Sequence, residues 1–231
     1  MNPFSPGNFF DLDAFSHKAL FNDCTFVWEA LRNLPFYFEE LHLGEMNGMV
    51  SSQAVVMHGD KVFIGKGTRV DPFAMIEGPV WIGEDCEIRH GALIRPYSII
   101  GKGCVVGHGS EVKYSVMMDG AAAPHLNFVG DSVIGSGVNI GAGAKCGNLR
   151  LDGKEVVLRY EGQVYHTGLR KFGAIMGDGT KLGCNVVTNP GAIMRKNFFA
   201  KPNSTISGVF SRELEARDFG NSSAPSSQDP K

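Results

Sequence analysis

Three histidines, His90, His108 and His125, follow one another at intervals of 18 and 17 residues, and Arg95 precedes Lys113 by 18. A neutral imidazole can take a proton from an amine near neutral pH, or it can ligate a metal. A guanidinium beside an ammonium can hold an anionic group. Each role requires sequence distance to become spatial proximity, and each has a plainer counterpart. Basic residues 18 apart are also what an ordinary solvated surface column would show. Ligating histidines usually converge more tightly, with a carboxylate or water completing the shell, so no structural metal is expected. Cys86 and Cys104, again 18 apart, read as small corner or core residues.

The interval of 18 acquires meaning from a shorter one. Every sixth residue from Ile64 is aliphatic: Ile64, Val70, Ile76, Ile82, Ile88, Ile94, Ile100, Val106 and Val112. With about one residue in five being Ile, Leu or Val, chance gives such a run roughly once in a million for a given start. A period of six is neither the helical 3.6 nor simply the strand period of two. It suits a short strand, a corner, and one inward aliphatic on each side of a triangular coil. Three hexads close one coil, and stacked coils bring residues 18 apart one above another at about 4.8 Å. The step then shortens to five at Met117 and again at Ile134, with Ala123, Val129 and Ile140 keeping steps of six. A skipped residue can turn side chains outward, as a functional site would use. The same skip explains why His125 follows His108 by 17.

The pattern lapses over 147–171 and resumes at Met176, Leu182, Thr188 and Met194. The lapse reads as a long loop or hairpin projecting from the prism. Aromatic residues crowd the first 40 positions, where Asp23 would cap a helix presenting Val27, Ala30, Leu31 and Leu34 on one face and ending at Pro35. That helix is expected to plug the open end of the prism. The organisation expected is therefore a helical cap segment over 1–50, a β-helix over 51–210 with its insertion at 147–171, and a tail over 211–231 with a disordered end.

Bulk properties narrow the class. A net charge of −2 argues against a nucleic-acid binder. Five cysteines without a Cys-x-x-Cys pair indicate neither a disulfide framework nor a zinc ribbon. No basic start with an apolar run opens the chain, and no window reaches the length of a membrane span. A cytoplasmic, non-membrane protein is expected.

From Ile94 to Lys154 the sequence resembles the acetyltransferase domain of the bacterial bifunctional N-acetylglucosamine-1-phosphate uridyltransferase/glucosamine-1-phosphate acetyltransferase. The stretches that carry the resemblance are Arg95-Pro96, Glu111-Val-Lys113, His125-Leu-Asn-Phe-Val-Gly-Asp131, Val138-Asn-Ile-Gly-Ala-Gly143, Asn148 and Lys154. The resemblance implies a left-handed parallel β-helix, a homotrimer with sites between prisms, and acetyl-CoA as co-substrate. It implies His125 as general base, Arg95 and Lys113 as phosphate ligands, Asn139 as a sugar contact, and Asn148 as positioning the histidine or the amine. Ala142 and Lys154 would lie near acetyl-CoA, Gly183 and Cys184 would line the pantetheine path, and Glu111 would support the substrate. The chemistry is coherent: an ammonium cannot attack a thioester until a base such as His125 takes its proton. The resulting oxyanion needs a donor, such as a backbone N–H of the glycine-rich coil.

Three departures stand out. No nucleotide-transferring domain precedes the prism, so uridyl transfer is not expected of this chain. Phe128 stands where the resembled family has a tyrosine near the substrate phosphate. The 147–171 loop is longer than its counterpart. The leading expectation is N-acetylation of an amino-sugar phosphate such as glucosamine-1-phosphate, in UDP-N-acetylglucosamine and cell-envelope precursor synthesis. The alternatives are another acyl donor, a nucleotide-linked amino sugar, or a non-catalytic scaffold partnering a separate sugar nucleotidyltransferase.

Overall fold

Ile64, Val70, Ile76, Ile82, Ile88, Ile94, Ile100, Val106 and Val112 are each at most 1% exposed and belong to one continuous core. In the computed structural model, which describes residues 2–210, they point into a three-sided parallel β-helix. The tail expected over 211–231 lies outside the described residues. Each face is an eight-stranded parallel sheet built from successive coils. The first face includes Val105–His108, Ala122–His125, Asn139–Ile140 and Lys181–Leu182; the second includes Leu93–Ile94, Glu111–Lys113, Phe128–Gly130 and Lys145–Cys146. The third runs from Val62–Ile64 through Ser98–Ile100, Val116–Met117, Val133–Ile134 and Ala174–Met176 to Val209–Phe210. This architecture is the hexapeptide-repeat solenoid expected, and is consistent with left-handed winding.

Register records the skipped residues directly. Ile82 pairs with Ile100, 18 residues on, whereas Ile100 pairs with Met117 and Met117 with Ile134, each 17 on. Ile134 then pairs with Met176, 42 residues on, because the insertion intervenes. The coil between the first and second faces turns through left-handed residues: Phe73, Gly91, Gly109, Leu126, Gly143, Asn185 and Asn203 all have φ between 54° and 74°. Gly and Asn tolerate that region, whereas Phe73 and Leu126 pay a Cβ clash there.

The third face is buried on both sides. Ile99, Val116, Val133, Ile175 and Ile193 point outward, yet each is 0% exposed, because a second apolar cluster covers them. That cluster contains Phe4, Phe9, Phe10, Val27, Trp28, Leu31 and Leu34 from the N-terminal segment, and Leu158 and Phe172 from the insertion. The insertion carries an antiparallel hairpin, Val157–Tyr160 with Gln163–His166. It is tied to the N-terminal segment by Phe4 against Tyr160 and Tyr165, and by the Arg32 guanidinium donating to Thr167 O at 2.9 Å.

The helix differs from expectation. It spans Glu29–Glu40 (α1) and continues through Pro35 rather than ending there. Its start is set by Glu29, whose carboxylate accepts from Phe26 N–H at 2.9 Å, rather than by Asp23. The residues predicted for its apolar face are buried, but against the flank of the third sheet and not across the prism's open end. The outward apolar row on that sheet offers far more area to bury than one end of a narrow prism.

Within this covering, His17 is 3% exposed, with Nδ1 3.0 Å from the Tyr37 hydroxyl and its ring edge-on to Trp81. Its Nε2 has no hydrogen-bond partner. Burial lowers its pKa from the ordinary 6.5 to about 4. As pH falls below 6.5, the unfolded chain binds this proton while the folded chain does not. The stability His17 contributes is therefore complete above that value and lost by about pH 4, an effect of at most about 3 kcal/mol. Tryptophan fluorescence should change across this window in the native chain and lose that dependence in His17→Phe. The same acid profile in both chains would assign the transition to other groups.

Candidate functional site

Stacking carries His125 into a defined column. At the corner between the first and second faces, His125 pairs in register with His108. The Gly143 N–H donates to His125 O at 2.9 Å, and the Asn185 N–H donates to Ala142 O at 2.8 Å. His90, His108, His125, Ala142 and Cys184 thus occupy successive levels of one corner. The upper two rings stack with centroids 5.2 Å apart, and His108 Nδ1 lies 3.0 Å from His90 O. His125 and Cys184 are exposed, and Ala142 is half-buried.

His125 is held by its backbone, leaving its ring outward. Its N–H donates at 3.0 Å to Oδ1 of Asn127. The Asn127 amide is itself buried and donates to Gly141 O at 2.7 Å. The next residue, Leu126, has φ 54° and is 56% exposed. An apolar side chain in a strained, exposed turn beside the imidazole is a local cost that packing in this chain does not repay. Sequence reading missed Leu126, since nothing but its position after His125 marks it.

Beside this corner runs a strip without side chains. Gly141 and Gly183 stack so closely that a Cβ on Gly141 would lie 2.5 Å from the Gly183 carbonyl carbon. The Ala142 methyl and the Cys184 thiol border the strip. The N–H groups of Gly141, Gly143 and Gly183 donate to carbonyls of neighbouring coils, each at 2.9 Å. They are therefore not free to serve a developing oxyanion, contrary to the simplest reading of the glycine-rich coil. Asn139 is exposed on the first face, in register between Ala122 and Lys181.

The predicted cations gather on the second face, each with a carboxylate. Arg95 pairs with Glu111 at 2.9 Å, where both side chains are substantially exposed. Lys113 pairs with Asp131 at 3.2 Å, with side chains only 16% and 8% exposed. The Asn148 amide nitrogen donates to the same Asp131 Oδ2. Phe128 lies in register beside Glu111, and its ring and the Asn148 amide pack over Gly130, where a Cβ would meet them at 2.7 and 3.0 Å. Tyr114, next along, has its hydroxyl pKa raised by burial and by the Asp131 charge.

The structure thus joins Arg95 to Glu111, and Lys113 to Asn148 through Asp131. It aligns His125, Ala142, Gly183 and Cys184 along another edge. Between the two groups the chain turns a corner at Leu126, and Gly130, the partner of Lys113, follows His125 by five residues. Lys154 is exposed in the insertion, its N–H donating to Asp152 Oδ1 at 3.2 Å. Among the described residues no three His, Cys, Asp or Glu side chains form a group able to hold a metal ion, and no helix is long and apolar enough to cross a membrane.

The GMPPB C-terminal domain family model matches residues 76–196, more than half of the chain. The chain belongs to this family. The GMPPB C-terminal-domain segment contains His125, both cation pairs, the glycine strip and the insertion, while the N-terminal aromatic segment lies outside it. A "Bifunctional sugar-1-phosphate nucleotidylyltransferase/acetyltransferase" of Sulfurisphaera tokodaii is 49% identical over 81 residues, covering 35% of this chain and 20% of that protein. A "Putative uncharacterized acetyltransferase YaiX" of Escherichia coli K12 is 34% identical over 159 residues, covering 68% of this chain and 69% of the other. The chain spans a quarter or less of the length of the bifunctional relatives from Sulfurisphaera tokodaii and Methanococcus vannielii. Among solved structures, a mutant perosamine N-acetyltransferase from Caulobacter crescentus, in complex with CoA and GDP-perosamine, matches at 24% identity. That match covers 42% of this chain and 46% of the other, with a TM-score of 0.34.

Proposed function

We propose that this chain is an acetyl-CoA-dependent N-acetyltransferase acting on an amino-sugar phosphate, with His125 as the general base. The observation that carries the reading is the corner column: an outward imidazole stands directly above Ala142 and Cys184, beside the stacked backbones of Gly141 and Gly183, which carry no side chain. The family's relatives with acetyltransferase in their names support the same reading.

In this account the acceptor amine lies against the His125 imidazole, which takes its proton as the nitrogen attacks the acyl carbon. Lys113, and Arg95 more loosely, hold the acceptor's phosphate, so that the amine is oriented rather than merely encountered. Ala142, Gly183 and Cys184 border the arm of acetyl-CoA. A neighbouring copy completes the site, as in the homotrimer that the resemblance implies. The N-terminal segment and hairpin cover the third face, leaving the first and second to meet that copy. Lys154, exposed on the insertion, would serve acetyl-CoA across such a contact.

Thiol release from acetyl-CoA with glucosamine-1-phosphate tests the reading. Lys113→Met should raise the KM for this acceptor by about 10- to 100-fold, the worth of one charge-assisted hydrogen bond, and leave the acetyl-CoA KM unchanged. A flat acceptor KM would remove Lys113 from the site. A second reading, a nucleotide-linked amino sugar as acceptor, is favoured by Phe128, whose ring offers no hydroxyl to a phosphate. If Phe128→Tyr lowers the KM for glucosamine-1-phosphate, this second acceptor becomes the better candidate.

A further inference from the structure

Asp131 touches two of the predicted acceptor ligands, Lys113 and Asn148. Its Oδ2 accepts from the Lys113 ammonium at 3.2 Å and from the Asn148 amide nitrogen. The residue is 5% exposed and sits at a corner with φ 50°, so its carboxylate cannot wander. Its backbone is pinned as well: Asp131 N–H donates to Lys113 O at 3.0 Å, and Gly173 N–H donates to Asp131 O at 2.7 Å. Asn148 is fixed from the other side, its backbone carbonyl accepting from Phe172 N–H at 2.9 Å where the insertion returns to the prism.

A carboxylate accepts and does not donate. It therefore selects the nitrogen end of the Asn148 amide and turns the carbonyl oxygen away from itself. It also takes one donor of the Lys113 ammonium and leaves the others to point outward. We propose that Asp131 is a positioning residue for the acceptor end of the site. It fixes the Asn148 amide with its oxygen presented to the acceptor amine, and the Lys113 ammonium with its remaining donors presented to the acceptor's anionic group. The inference rests on the amino-sugar acetyltransferase reading and adds the residue that makes its two acceptor ligands act as one unit.

The test is a mutant cycle in the full chain, with acetyl-CoA and glucosamine-1-phosphate as probes. Asp131→Asn, nearly isosteric, should raise the acceptor KM about tenfold without moving the KM for acetyl-CoA, since the neutral amide no longer dictates either partner's orientation. In a Lys113→Met, Asn148→Ala background the same change should alter the acceptor KM less than twofold, because nothing remains to position. A tenfold effect in both backgrounds, or none in the native background, overturns the proposal. Should Asp131→Asn fail to fold by circular dichroism, Asn148→Asp gives a separate reading with the Lys113–Asp131 pair intact. It removes the amide donor, so the acceptor KM should rise at least as far as in Asn148→Ala, and an unchanged KM overturns the proposal. A native chain that releases no thiol with this acceptor sinks the underlying reading, and the proposal with it. A native chain that turns over, with additive effects in the cycle, sinks the proposal alone.

Discussion

His125→Ala is expected to lower the rate of acetyl transfer by about a thousandfold, within the 10²–10⁴ range that a positioned general base supplies. The fold should not notice the change. The structural contacts of His125 run through its backbone: its N–H to Asn127 and its carbonyl to Gly143. The exposed imidazole can be removed without opening a cavity or stranding a buried polar group. Thiol release and thermal unfolding, measured together, separate chemistry from stability. A variant with native melting behaviour and native turnover would take His125 out of the mechanism.

Gly107→Ala should do the reverse and act through the fold. A Cβ at Gly107 would fall 1.6 Å from the Pro124 carbonyl oxygen in the next coil. No rotamer relieves a clash between one backbone and another. The strands Val105–His108 and Ala122–His125 must separate, at a cost above about 3 kcal/mol, which lowers Tm by roughly 10 °C in a chain of this size. Activity should fall with it, because His125 ends the displaced strand. Gly137→Ala is the useful contrast. Gly137 has φ 64° with nothing within 4 Å of an added Cβ, so only the left-handed backbone is penalised, by about 1–2 kcal/mol. Equal melting temperatures for the two variants would contradict the stacking geometry.

The body of the fold was legible because a solenoid turns linear distance into height. Every aliphatic in the six-residue series is buried, and the two shortened steps, at Met117 and Ile134, appear as 17-residue pairings. The 17-residue step from His125 to Ala142 fits the same arithmetic, whereas Cys184 follows Ala142 by 42 residues because the insertion intervenes. The covered face was not read, although its signal was present. Ile99-Ile100, Val116-Met117, Val133-Ile134, Ile175-Met176 and Ile193-Met194 are adjacent apolar pairs, the mark of a strand buried on both sides. The N-terminal aromatics that bury them have no period, so their destination could not be read from spacing. Asp131 carries no spacing signal of its own, because its double contact depends on the corner geometry and on where the insertion returns. The relation of Lys154 to the glycine strip is likewise a matter of which edge the insertion leans over, and sequence distance does not encode that.

The most direct test of the account is product formation. The native chain would be incubated with acetyl-CoA and a panel of amino sugars: glucosamine-1-phosphate, unphosphorylated glucosamine, and a nucleotide-linked amino sugar. The account predicts stoichiometric thiol release and an N-acetylated product, with glucosamine-1-phosphate preferred over glucosamine. Release of no thiol with any of them would contradict it and leave the chain as a scaffold.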